Sequence, residues 1–288
     1  MALDWQKILQ QPENQTSINT IENWFINIAQ NLLNHSQLVV NNIPHRLVEI
    51  EFYYFSPIHP DFFTHRDNLQ TEPGKWYFHR QGESYKGGTF KGLDLTFGNY
   101  HAYGGILIRS LQTLNGNIVC GPSLCVDYLL AQTNTNSVAA LDEKIAQARA
   151  WEQNHILRLE TVPVGQVKPI FSTARVGLSL KKSTASNNMH WFILLPYRYL
   201  TEPRRISKGK PYLILALYSQ GMDLEQICQT TGSPQSIVRE YINNFEIGRQ
   251  EKDFSRYDGM AFDRKKLCSL HGIWYECYGT TQLGHRHC

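Results

Sequence analysis

The run LVEIEFYYF, residues 47–55, constrains this chain more than any other stretch. Its β-branched, aliphatic and aromatic residues favour an extended strand. Successive side chains of a strand point to opposite faces, so Glu49, Glu51 and Tyr53 project together while Val48, Ile50, Phe52 and Tyr54 project the other way. One face of this strand is therefore apolar and the other carries two carboxylates and a phenol. A strand that served only as core would not alternate glutamates with aromatic residues in this way.

The surrounding pattern predicts an α+β fold: a curved, mostly antiparallel sheet with flanking helices in a single compact core, extended by helices at both ends. Residues 1–37 space Ile18, Ile21, Trp24, Phe25, Ile28, Leu32 and Leu33 as one helix face, and they are expected to form a helical N-terminal extension. Residues 38–210 alternate β-type runs (LVEIEFYYF, KWYFHR, GLDLTFG, GGILIRSL) with glycine-rich turns and form the expected catalytic core. Residues 211–250 read as helix, glycine, helix, tight turn and helix, with Ile227, Val238 and Tyr241 apolar, as a helix-turn-helix requires. Residues 251–288 form a Cys/His-rich tail.

Of the 288 residues, 42% are hydrophobic and 18% charged, which is a globular rather than a disordered composition. No apolar run approaches the roughly 18 residues of a membrane span. The polar N-terminus lacks the apolar stretch of an export signal, and six cysteines are too few for a disulfide scaffold, so a cytoplasmic protein is expected. Residues 165–210 hold nine basic residues against one acid, Glu202, and a cluster of this kind suits a phosphate backbone. Lys181, Lys182, Arg204 and Arg205 are its candidate backbone contacts. The tail spacings C-x2-H and H-x-H-C, from Cys268, His271, His285, His287 and Cys288, lack the paired form of a zinc site, and neither a metal nor a cofactor is expected.

The order of short motifs resembles that of the alkyladenine (3-methyladenine) DNA glycosylase family over roughly residues 45–200. The motifs are Glu49-Ile50-Glu51-Phe52-Tyr53, Asp61-Phe62-Phe63-Thr64-His65, Tyr77-Phe78, Phe97-Gly98, Ile106-Leu107-Ile108-Arg109, Gly121-Pro122 and Ala174-Arg175-Val176-Gly177. The resemblance implies a monofunctional enzyme that everts a damaged base from DNA and hydrolyses its N-glycosidic bond. It implies Glu51 as the general base, with Arg109 and the backbone carbonyl of Val176 helping to hold the water. It further implies Tyr53 and His65 as walls of the base pocket, and Phe97 as the side chain that wedges into the duplex.

The chemistry of the residues agrees. A carboxylate near the anomeric carbon activates water and stabilises an oxocarbenium-like state, and an everted base needs aromatic walls. In LDLT, Asp94 stands at or beside a position where the family carries an aromatic, and the family's guanine-rejecting asparagine has no clear counterpart. Asp94 is either a structural acid, or a reader of the base or general acid. In the second case it favours an amino-bearing or cationic base. The helix-turn-helix-like segment resembles small domains of recombinases and activators, and either contacts DNA or packs on the core. DNA is the expected partner of a monomeric protein that is nucleoid-associated, or nuclear if eukaryotic. The other readings are a non-catalytic DNA-binding module and an N-glycoside hydrolase acting on RNA or a small nucleotide.

Overall fold

A computed structural model describes residues 3–12, 17–163, 165, 167–183, 188–251 and 253–279. The chain divides into two compact units. The first comprises residues 1–170 and 199–202, and the second residues 171–198 and 203–288. The division thus falls at residue 170, inside the stretch read as one catalytic core.

In the first unit, α1 (Trp5–Leu9) and α2 (Ile18–Asn34) precede β1 (Ser36–Val40), β2 (Ile43–Ser56) and β3 (His59–Pro60). Then come β4 (Trp76–Phe78), the hairpin of β5 (Arg80–Gln81) and β6 (Ser84–Tyr85), β7 (Leu93–Thr96), β8 (Tyr103–Gln112) and β9 (Ile118–Cys120). α3 (Pro122–Gln132), α4 (Val138–Ile145) and β10 (Leu157–Thr161) follow. The sheet runs β10-β1-β2-β8-β7-β4, with β3 beside β2 and β9 beside β8, and each of these pairs is antiparallel. Helices and antiparallel sheet share one core, as the α+β pattern predicts.

The N-terminal helix is part of that core. Ser17 caps α2 by accepting a hydrogen bond from the Thr20 amide, and the apolar stripe of the helix covers one face of the sheet. Phe25 stacks on Phe52 at 4.6 Å, and Trp24 meets Tyr54 and Phe97 edge-on at 5.6 and 5.1 Å. The Trp24 indole donates to the Ile8 carbonyl and so ties α1 to α2. Burying each large side chain of this layer stabilises by roughly 1.5–3 kcal/mol.

The second unit contains β11 (Phe171–Thr173), α5 (Met189–Phe192), α6 (Lys210–Ser219), α7 (Leu224–Thr231), α8 (Gln235–Arg249) and α9 (Arg264–Trp274). Asp223 opens α7 with a reciprocal cap to Gln226, and Gly232 closes it at φ 68°, a left-handed turn natural to glycine. α6, α7 and α8 follow the helix-turn-helix order read from the sequence. α9 lies in the segment read as a tail, yet it crosses α8 closely. A Cβ built on Gly272 would lie 1.9 Å from the Phe245 carbonyl oxygen, and one on Gly248 1.9 Å from that of Ser269. Gly272→Ala is expected to cost about 1–3 kcal/mol by forcing these helices apart, measurable by urea unfolding; an unchanged midpoint would mean that the crossing is loose.

Candidate active site

Glu49 and Glu51 alternate along β2 on the face away from α2, and both are fully buried. The register between β2 and β8 slips around Glu49, so that Glu49 pairs with Ser110 and Ile50 with Ile108. Arg109 falls in this irregularity. The local bulge turns both Arg109 and Ser110 toward the carboxylates. Arg109 Nε donates to Glu49 Oε1 at 3.0 Å and its Nη1 to Glu51 Oε2 at 3.2 Å, while the Ser110 hydroxyl donates to Glu49 Oε2. Tyr53, two residues along the same face, donates its hydroxyl to Glu51 Oε2 at 2.9 Å. Burial works to lower the guanidinium's pKa, but the carboxylates of Glu51 and Glu49 outweigh it and raise the pKa above its ordinary value. The site therefore holds a fixed positive charge against two carboxylates.

Registers across the sheet extend this face. Glu51 lies opposite Leu107, Leu107 opposite Asp94, and Asp94 opposite Tyr77. Asp94 is buried; its Oδ1 lies 2.7 Å from His79 Nε2, and its Oδ2 accepts from Gln70 Nε2 at 3.2 Å. Gly105 leaves room for this pair, since an added Cβ would fall 2.4 Å from Asp94 Oδ2. His65 sits edge-to-face on the His79 ring with centroids 4.3 Å apart, and its Nε2 lies 3.0 Å from Lys86 Nζ. Desolvation, and then the neighbouring His79, lower the pKa of His65 although part of the residue is open to solvent. A neutral His65 can accept a hydrogen bond from the Lys86 ammonium at Nε2. Desolvation also raises the pKa of Tyr77, which stays a neutral wall beside the two imidazoles.

Glu51, Tyr53 and Arg109 thus meet within hydrogen-bonding distance, and His65 joins Asp94 through His79. His79 and Gln70 are site residues that the sequence reading did not single out. His79 lies two positions beyond Tyr77, the spacing that returns a strand residue to one face. Val176 lies in the second unit, in the turn after β11.

Phe97 requires a correction. It is 1% exposed and packed among Trp24, Phe25, Phe52 and Tyr54, so it belongs to the core under α2 and does not present a wedge to DNA. Thr96 follows Asp94 on the carboxylate face, so Phe97 must take the opposite one.

The basic run does not form a single patch either. Arg175 and Arg198 are fully buried, Lys168 pairs with Glu202, and Lys210 donates to the Pro203 and Arg204 carbonyls at 2.7 and 3.1 Å. Lys181, Lys182, Arg204 and Arg205 remain exposed on the second unit. In the C-terminal segment Cys268 and His271 are buried, whereas His285, His287 and Cys288 lie outside the described residues. Among the described residues no three His, Cys, Asp or Glu side chains group as metal ligands. No described helix is long and apolar enough to cross a membrane.

Arg109→Met is expected to lower the unfolding free energy by about 3–5 kcal/mol, because it strands two buried carboxylates. Adding Glu49→Gln should recover part of that loss in denaturant titrations; no recovery would place the penalty elsewhere. His271 gives a pH signature of its own. Burial holds its pKa down at about 3, and its Nε2 has no hydrogen-bond partner. Between pH 6.5 and about 3 the unfolded chain binds a proton that the folded chain refuses, so stability is complete above pH 6.5 and falls as pH falls. From neutrality to pH 5 this group should account for about 2 kcal/mol, and His271→Leu should remove that share from urea unfolding curves.

No family model matches the chain. It is similar to the uncharacterized protein L759 of Acanthamoeba polyphaga mimivirus, with 34% identity over 221 residues, covering 72% of this chain and 98% of the viral protein. At that identity and coverage, the chain belongs to the same family as the mimivirus protein.

Proposed function

We propose that the protein is a monofunctional DNA glycosylase of the alkyladenine type, with Glu51 as the base that activates water. The observation that carries this reading is the Glu51 carboxylate itself. It is buried on a strand, its Oε2 is held by both Tyr53 and Arg109, and a second acid stands across the same sheet face. Arg109 fixes the carboxylate's orientation by donating to the same oxygen that Tyr53 holds. Tyr53 pins the same oxygen and offers a ring to an everted base.

Asp94 serves the other end of the reaction. Glu51 and Asp94 are separated by one intervening strand, so their Cα atoms lie about 10 Å apart. With both acids on one sheet face, one carboxylate can act on water and the other on the leaving group. Leu107, between them, offers an apolar floor. The Asp94–His79 pair presents a carboxylate coupled to an imidazole, which can hold a proton toward a departing base or pair with its exocyclic amino group. An amino-bearing or cationic base is the substrate this arrangement favours. The enzyme acts as a monomer, located with the genome on which it works, and its exposed Lys181, Lys182, Arg204 and Arg205 contact phosphates.

The test is base excision. Purified protein is incubated with duplex and single-stranded DNA carrying a panel of alkylated, deaminated and otherwise modified bases, and abasic sites are read by alkali cleavage. Wild-type protein should produce them, and Glu51→Gln should slow excision by about 10²–10⁴-fold while circular dichroism shows an intact fold. Equal cleavage by the variant would remove Glu51 from the chemistry, and binding without cleavage across the panel would make the protein a DNA-binding module.

A further inference from the structure

The carboxylate face does not end at Tyr53. Phe55 continues it two residues further along β2, half-exposed where Glu51 is buried. Beyond the turn that follows, Phe62 is 36% exposed and meets Phe55 edge-on at 5.6 Å. Tyr103, paired in register with Phe55 on β8, adds a third ring at 6.4 Å. Arg66 lies over two of these rings, its guanidinium carbon 5.0 Å from the Phe55 centroid and 5.6 Å from that of Phe62. Its backbone adopts φ 57°, a left-handed conformation uncommon for a residue other than glycine, and this brings the exposed side chain over the rings. Among the described residues Arg66 has no carboxylate partner.

The neighbouring β7–β8 hairpin ends beside this cluster, because Tyr103 opens β8 opposite Phe55 near the end of β2. Its tip is held rigidly. Asn99 and Ala102 exchange backbone hydrogen bonds at 2.9 and 3.0 Å, and the Asn99 side chain accepts from the His101 amide at 2.8 Å. At the base of the tip, a Cβ on Gly98 would lie 2.1 Å from the Gln70 carbonyl oxygen and 2.3 Å from that of Ala102, so only glycine fits there. This braced turn displays Tyr100, which is 100% exposed.

We propose that this edge (Phe55, Phe62, Arg66 and Tyr103, with Tyr100 on the adjoining tip) is a stacking surface for unpaired nucleotides of single-stranded DNA. Aromatic rings interleaved with an unpaired guanidinium suit nucleobases and phosphates together, because every base has a π-face and arginine stacks as well as pairs. An apolar partner protein would not call for a cation on top of the rings. The surface also has a direction. Phe55 stands four positions beyond Glu51 on the strand, about 13 Å, so a nucleic-acid strand lying along this face runs from the stacking edge to the carboxylate within a few nucleotides. The inference rests on Glu51 as the reactive site only for that direction; the stacking itself does not require the chemistry.

Binding can therefore be tested apart from excision. The full chain carrying Glu51→Gln is titrated into a fluorescently labelled, undamaged single-stranded oligonucleotide and into the corresponding duplex, with anisotropy as the readout. The single strand should bind more tightly than the duplex. Phe62→Ala and Tyr100→Ala should each weaken it by at least about 5-fold, the lower end of what one base stacked on an aromatic contributes, while Phe62→Trp should retain it. Arg66→Gln should reduce the salt dependence of binding. Tyr100 is wholly exposed, so its variant keeps the fold. Single-strand affinity that is absent, weaker than duplex affinity, or unchanged in both alanine variants would overturn the proposal. A protein that loses binding in those variants but excises nothing as wild type would retain the stacking surface and lose the glycosylase reading; excision with unaltered binding would do the reverse.

Discussion

The Arg109 guanidinium, shared between Glu49 and Glu51, is the interaction on which the first unit's carboxylate face depends. Two carboxyl groups buried side by side forgo their hydration and need hydrogen-bond donors in its place. One planar guanidinium with donors in a fixed fork meets both, and the Ser110 and Tyr53 hydroxyls satisfy further lone pairs. The register slip between β2 and β8 makes this possible, since in an unbroken ladder Arg109 and Ser110 would point to opposite faces. Strand pairing at the centre of the sheet and the chemistry of its polar face thus have one origin.

The two faces of that sheet divide the labour. The face under α2 is aromatic and aliphatic, closed by Trp24 and Phe25, and supplies the burial that holds β2, β8 and β7 together. The opposite face carries Glu51, Leu107, Asp94 and Tyr77 across four strands, with His79 and His65 at its far side. A rigid apolar layer beneath a polar row is a good support for side chains that must be held within a fraction of an ångström. The second unit is built differently, from helices crossing at glycines, and within it Arg175, Arg198 and Lys210 are taken up by carbonyls and packing.

Several features of this arrangement are legible in local sequence. The alternation of Glu49, Glu51 and Tyr53 fixes their common face whatever the rest of the chain does, because a strand has a period of two. The apolar spacing of residues 18–33 announces a helix with one buried side, and the acid and glycine around residues 223–232 announce the ends of α7. Arg109 at the end of an apolar strand is a charge in need of a partner.

Other features are settled only by contacts between residues far apart in sequence. Phe97 sits in a motif whose neighbours face the site, yet it is core, because α2, more than sixty residues earlier, covers the face onto which it alternates. Asp94 reads as a lone acid until β4 is laid beside β7 and brings His79 to it. The nine cations of residues 165–210 look like one patch in sequence, but the fold buries two of them and pairs others. Sequence by itself determined which residues share a strand face and which side of α2 is apolar, since those depend on backbone periodicity. Tertiary structure decided which face is covered, which acid meets which base, and which charges stay in water, since burial and pairing depend on elements that only the folded chain brings together.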